Sequence, residues 1–125
     1  MSDSSKSSLQ ISPLSVEDLA CIDATSLTSI ERHHLRLLAH CLACFKSMAN
    51  GVSIGPLPNE LIRREWFLKQ PSLFEEKEFI SVLLKQFAIA AGNLERLATD
   101  CGVSPLELTL EHLISEGLEI SKRAG

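Results

Sequence analysis

The side chains that β-strands favour are scarce in this chain of 125 residues. It has no tyrosine, one tryptophan and four valines, whereas leucine occurs 21 times and alanine ten times. β-Branched and aromatic residues favour strands, and leucine and alanine favour helices. The composition therefore argues against a β-rich protein. It predicts an all-α fold, a single compact helical domain of five or six helices.

A strong net charge and a long apolar run are also missing. Twelve lysines and arginines against 16 aspartates and glutamates give a net charge of −4, which argues against binding to nucleic acid or an anionic membrane by charge alone. No segment approaches the roughly 20 apolar residues of a membrane-spanning helix, and residues 1–15 lack the apolar centre of a secretory signal. We therefore expect a cytoplasmic protein without membrane contact, whose four cysteines stay reduced.

The chain divides by composition at its N-terminal end. Residues 1–14 hold six of the 16 serines and little apolar mass, which predicts a disordered tail. An all-helical domain is expected over residues 15–125.

Local signals place the helices within that domain. A serine or threonine followed three residues later by an acidic residue is typical of a helix start, and glycine or asparagine of a helix end. The predicted starts are Ser15 with Asp18, Thr28 with Glu31, Ser72 with Glu75, and Ser104 with Glu107. The predicted helices are 16–22, 29–49, 59–69, a run from about 73 to 100 that Gly92 either interrupts or leaves continuous, and 105–117.

Apolar residues recur at helical spacing along the run that begins near residue 73. They are predicted to share one buried face and are Phe79, Leu83, Phe87 or Ala90, Leu94, Leu97 and Cys101.

Histidine and cysteine are concentrated in the 29–49 helix. His33, His40 and Cys44 fall on one narrow strip of that helix, and residues four apart can hold a metal ion between them. A structural zinc needs four ligands, however, and Cys41 is most simply explained as a small core residue. We therefore predict no metal and no cofactor, and keep His33, His40 and Cys44 as the candidate set.

Residues 94–118 resemble the helix-turn-helix family. The segment has a Leu-Ala helix, a Gly102-Val103-Ser104 turn and a second helix, and Glu116–Ile120 is similar to the entry of a winged-helix hairpin. The resemblance implies DNA binding with the helix from Pro105 as the recognition helix. That helix carries three glutamates and no lysine or arginine, so it would repel phosphates. DNA binding is therefore the alternative interpretation.

A third candidate is the Arg63-Arg64-Glu65-Trp66-Phe67 segment. Adjacent aromatic rings point in directions about 100° apart on a helix, so one can face the core while the other faces outward. Exposed aromatic residues beside arginine are typical of protein-binding hot spots. Arg63, Arg64, Trp66 and Phe67 are therefore the predicted binding residues, with burial of both rings as the alternative.

No arrangement of residues indicates catalysis. The chain has no phosphate-binding Gly-Lys-Ser/Thr loop, no Gly-x-Ser-x-Gly and no His-Glu-x-x-His motif. The apolar arc of the 29–49 helix is broader than one buried stripe needs, and either burial within the chain or a homodimer contact would cover it, with self-association preferred. The second alternative predicts an apolar patch there or near Trp66 and Phe67. We therefore predict a non-enzymatic protein-interaction module, an adaptor or regulator, with a protein partner or a second copy of itself.

Charge is divided between two halves of the sequence. Residues 28–71 carry six basic and three acidic side chains, whereas residues 72–119 carry three basic and nine acidic ones. Such a division can orient one half of the chain towards the other, or a partner's basic face towards the acidic half. A solvated acidic face that aids solubility explains it equally simply.

Overall fold

The computed structural model describes residues 14–70 and 77–124. Within them the chain forms five α-helices and one short 3₁₀ helix, and no strand, which confirms the predicted all-α fold. The helices are α1 (Val16–Asp23), α2 (Ser29–Met48), α3 (Glu60–Leu68), α4 (Lys77–Cys101) and α5 (Leu110–Ala124), with the 3₁₀ helix at Pro105–Glu107. The predicted tail, except for Leu14, and the predicted Ser72–Glu75 helix start lie outside the described residues. The division at residue 15 stays a prediction.

The predicted helix starts at Ser15 and Thr28 are confirmed. The Ser15 hydroxyl accepts a hydrogen bond from the Asp18 N–H at 3.0 Å. The Glu31 carboxylate likewise accepts from the Thr28 N–H at 2.9 Å. Each pair satisfies backbone donors that the first turn of a helix leaves without a partner. At the other end of α2, Asn50 and Gly51 adopt φ angles of 54° and 96°, the left-handed conformation that ends a helix.

Helix α4 runs through Gly92 without a break. Gly92 is exposed, and a helix whose opposite face is buried tolerates one glycine at a cost of about 1 kcal/mol. The single buried face predicted for this helix is wrong at its two ends, because Phe79 is 46% exposed and Cys101 is exposed. At the N-terminal end Ile80 turns inward in place of Phe79.

The predicted helix over residues 105–117 is also wrong. The 3₁₀ helix ends at Glu107, Leu108 is extended, and α5 begins only at Leu110 and continues past Gly117. Leu106 and Leu108 are both buried, at 4% and 0% exposure. Two residues that are two apart point in very different directions on one helix, so the chain leaves the helical path to bury both.

The core lies among α2, α3 and α4 and continues beneath α5. Phe87 packs edge-on against Phe45 and Phe67, with ring centroids 5.4 and 5.0 Å apart. Edge-to-face contact is a favoured arrangement for aromatic rings. These three buried rings join α2, α3 and α4 at one end of the molecule.

Candidate functional site

An open apolar groove separates α2 from α4 along part of their length. Its volume is about 390 Å³. Helix α2 contributes His34, Leu37, Leu38 and Cys41, and helix α4 contributes Gln86, Ile89, Ala90 and Asn93. We call this the α2–α4 groove. The apolar patch predicted on the 29–49 helix is therefore present, on the side that faces α4.

The exposure of the groove's apolar side chains distinguishes it from the core. Leu37 is 51% exposed and Ile89 is 68% exposed, whereas Ala90 on the floor is buried. Burial of an aliphatic side chain is worth about 1.5–3 kcal/mol. Two large side chains on opposite rims of one groove are therefore available to a partner that covers them.

The groove continues towards α5. Two adjoining depressions, of about 340 and 190 Å³, share Leu38, Leu97 and Ile120 in their lining, and Ile120 is 52% exposed. Gln86 and Asp100 mark the two extremes of the continuous surface on α4. Fourteen residues separate them, which corresponds to about 21 Å at 1.5 Å per residue.

Carboxylates line the α5 end of this surface. Glu31, Asp100 and Glu116 line the two adjoining depressions. Arg96 lines the one that contains Asp100. Hydrogen bonds from Thr28, chiefly from its backbone N–H, hold the pKa of the Glu31 carboxyl below its ordinary value, so this group is ionised at neutral pH. The Arg96 guanidinium donates to the Asn93 side chain. None of the three carboxylates forms an ion pair with the described residues. We call Glu31, Asp100 and Glu116 together the acidic end of the groove.

The four predicted binding residues are placed differently. Phe67 is 1% exposed, so its side chain is too deeply buried to make the predicted contact with a partner. The Arg63 side chain makes contacts within the fold. It donates to the Pro58 carbonyl at 2.9 Å and lies 5.4 Å from the centroid of the Phe45 ring. Arg64 is exposed and pairs with Glu60 at 3.6 Å, and Trp66 is half-buried against Phe67. A binding role for Arg63, Arg64 and Trp66 stays a prediction.

The structure does not bring the candidate metal ligands together. His33 is exposed, His40 is half-buried and Cys44 is buried. Residues 14–70 and 77–124 contain no group of three or more histidine, cysteine, aspartate or glutamate side chains able to hold a metal ion. Burial raises the pKa of the Cys44 thiol to about 12 and that of Cys41 to about 11, which disfavours the thiolate that binds metals.

The second helix of the expected helix-turn-helix does not begin where the resemblance places it. A recognition helix from Pro105 requires a continuous helix there, but the 3₁₀ turn and extended Leu108 intervene before α5. The Glu116–Ile120 segment, expected to open a hairpin, is the middle of α5. Exposed Glu111 lies in the first turn of α5, the end that such a helix presents to DNA.

Sequence reasoning missed the α4 side of the groove. The signal was the spacing of Val82, Gln86, Ile89 and Asn93, which follows one helical face beside the predicted buried face. Sequence reasoning also missed Leu37. It adjoins Leu38 in an apolar stretch of α2, and the sequence does not show which of these residues face inward and which face outward.

The fold and the groove define a small all-α protein that leaves an apolar surface open between two of its helices. Within the described ranges, none of the helices combines the length and the apolar character that crossing a membrane requires. Residues 14–123 match the family model described as NDH complex assembly factor CRR9, and the chain belongs to that family. No curated protein and no solved structure matches the chain.

Proposed function

We propose that this protein is a non-enzymatic assembly factor of the NDH complex that binds a protein of that complex through the α2–α4 groove. Membership of the assembly-factor family supports a role carried out by contact between proteins. The observation that carries the choice of surface is the exposure of Leu37 and Ile89, 51% and 68%, on opposite rims of one groove. The cytoplasmic location stays a prediction.

An assembly factor needs a surface that holds a partner and later releases it. A groove with two large exposed apolar side chains and a polar rim of His34, Gln86 and Asn93 suits that requirement. Apolar contacts supply affinity, and the polar rim keeps the unoccupied surface compatible with water. The adaptor role predicted from the sequence is thus sharpened to a contact with an NDH complex protein.

The test is affinity capture of NDH complex proteins by the tagged full chain from cells that contain the complex. The groove variant carries Leu37→Glu and Ile89→Glu. The matched control carries Val16→Glu and Leu61→Glu, whose side chains are 79% and 72% exposed and line none of the groove's depressions. We expect the groove variant to lose capture at least about tenfold, since two buried apolar contacts become charges, and the control to retain it.

Circular dichroism of both variants confirms that the fold is intact before capture is compared. Equal capture by the groove variant and the wild-type chain would refute the assignment of the groove. Equal loss in both variants would show that added negative charge, and not the groove, determines binding.

A further inference from the structure

The α2–α4 groove and its acidic end together specify the shape and charge of an occupant. We infer that the groove takes an amphipathic helix of about four turns, with apolar side chains along one face and basic side chains at the end that meets Asp100 and Glu116. This inference rests on the proposed function, because it describes the segment of the partner that the groove would hold.

The shape of the surface fits a helix. The continuous surface extends about 21 Å along α4, which equals the length of a helix of about 14 residues. Helix α4 forms one wall along the whole surface, whereas the opposite wall is α2 beside Ile89 and α5 beside Asp100. A helix that lies along α4 buries an apolar stripe in the way that helices pack in bundles. The described part of the chain offers no strand edge to which an extended segment could add.

The positions of the apolar groups also suit a helix. Ile89 and Leu97 lie eight residues apart on α4, about 12 Å, and both line the continuous surface. Ile89 is exposed on the rim, whereas Leu97 is buried and forms part of the floor. Apolar side chains at positions i, i+3 or i+4, and i+7 of a partner helix cover nearly the same distance. Leu37 and Leu38 line the opposite wall at the same part of the groove. A partner with this spacing can therefore reach both walls at once.

The charge of the surface favours a basic segment, whatever the shape of that segment. Glu31, Asp100 and Glu116 carry three negative charges at one end, and Arg96 supplies one positive charge among the residues that line it. Glu31 is already engaged by Thr28 and by the Ser121 hydroxyl, which donates to it at 3.4 Å. Asp100 and Glu116 form no ion pair with the described residues. A basic group on the partner is the complement of this end, and a carboxylate there would be repelled.

A second copy of the chain is the competing occupant. The exposed stripe that would enter the groove from a second copy is that of α4 itself, with Phe79, Val82 and Ile89. Its C-terminal continuation carries Asp100, which faces the same acidic end in a parallel arrangement. Self-association by that parallel arrangement is disfavoured because it places like charges together. An antiparallel pairing, or one that brings Lys122 and Arg123 of a second copy to the acidic end, is distinguished by the sedimentation experiment below.

The experiment measures fluorescence anisotropy of labelled synthetic 14-residue peptides with the full chain. The first peptide is an alanine-based helix with leucine at positions 3, 6 and 10 and two arginines at one end. The second has two glutamates in place of the arginines. The protein variant is Asp100→Lys with Glu116→Lys, and the matched control is Glu95→Lys with Glu119→Lys, two exposed glutamates of α4 and α5 that do not line the groove.

We expect the arginine peptide to bind the wild-type chain about 3- to 10-fold more tightly than the glutamate peptide, a ratio suited to two partly exposed charge pairs. In the variant that carries Asp100→Lys and Glu116→Lys this order should reverse, whereas the control should retain the wild-type order. The preference should also weaken at high salt, because exposed charges are screened.

Two outcomes overturn the inference and leave the proposed function standing. One is peptide binding that depends on Leu37 and Ile89 but ignores the charges at Asp100 and Glu116. The other is a dimer in sedimentation experiments that Leu37→Glu and Ile89→Glu convert to a monomer, which would assign the groove to a second copy. Loss of NDH complex capture in the groove variant is measured separately, so failure of the proposed function is recognised by its own result.

Discussion

Helices α2 and α4 form two unlike apolar contacts along their length. Near Phe45 and Phe87 the contact is closed, because α3 contributes Phe67 and completes a cluster of buried rings. Near Leu37 and Ile89 the same helices leave a groove of about 390 Å³. Similar residue types serve folding at one end and are available for binding at the other, and the difference is whether a third helix of the chain covers them.

The largest expected effect comes from opening the closed end. Phe67→Ala removes a ring that is 1% exposed, and such a truncation costs about 3–5 kcal/mol in the free energy of unfolding, because it loses apolar burial and leaves a cavity. Leu37→Ala at the open end should change the same quantity by less than about 1 kcal/mol, since half of this side chain is already in water. Urea unfolding followed by far-ultraviolet circular dichroism measures both.

The control for this comparison is Leu61→Ala on α3, a leucine that is 72% exposed on the same helix as Phe67. It should resemble Leu37→Ala. If Leu37→Ala were as destabilising as Phe67→Ala, the two ends of the α2–α4 contact would be equivalent, and the groove would be part of the core.

A smaller effect is expected at the connection that replaces the predicted 105–117 helix. The Ser104 hydroxyl accepts from the Gly55 N–H at 2.9 Å, and the Leu106 N–H donates to the Gly55 carbonyl at 3.1 Å, so this connection is joined to the loop after α2. Ser104→Ala leaves the Gly55 N–H without its partner and should cost about 1–2 kcal/mol. Thermal unfolding measures the loss.

Two further variants test the cause of that loss. Ser104→Thr keeps the hydroxyl and should recover most of the stability, and Ser53→Ala changes an exposed serine of the same loop and should have little effect. A loss in Ser104→Thr as large as that in Ser104→Ala would show that the hydrogen bond to Gly55 is not responsible.

Local parts of this structure could be predicted from the sequence, and those that depend on distant segments could not. Thr28 and Glu31 determine the start of α2 by contacts within four residues, so their pattern was sufficient. The continuity of α4 through Gly92 depends on the burial of its neighbours Ala91 and Leu94, which the rest of the fold decides. The extended conformation of Leu108 likewise depends on its complete burial in the core.

The candidate site shows the same limit. Helical spacing indicated that α2 has more apolar surface than one buried stripe needs, and the open side of α2 is real. Helical spacing could not indicate that Ile89 of α4 lies opposite Leu37 of α2. The two residues are 52 positions apart, and only the packing of the helices brings them to one groove. The candidate set His33, His40 and Cys44 met the spacing of a half-site, but spacing on one helix does not supply the remaining ligands from others.

The smallest expected effect concerns His40, on the part of α2 between the open and closed ends. Its Nδ1 atom is buried and forms no hydrogen bond with the described residues. Burial lowers the pKa of the imidazole below its ordinary value, and the positive charge of Arg36 lowers it further. The unfolded chain therefore takes up a proton at a higher pH than the folded chain does. Stability contributed by neutral His40 is fully present above the ordinary pKa of about 6.5 and is lost as the pH falls below it.

His40→Leu should remove that acid-dependent loss, since leucine binds no proton and leaves no buried nitrogen without a partner. Thermal unfolding at pH 7.5 and pH 5.5 should show a wild-type chain that loses about 1–3 °C more in Tm than the variant, a small shift because His40 is only partly buried. His33→Leu, at an exposed position on the same helix, should keep the wild-type pH dependence.

Glu31 and Glu107 do not affect this comparison. Hydrogen bonds hold the pKa of each carboxyl below its ordinary value, so the stability that each contributes is lost only at more acidic pH. Equal acid sensitivity of the wild-type chain and His40→Leu would assign the loss to another group, and the middle of α2 would then carry no proton-linked contribution to stability.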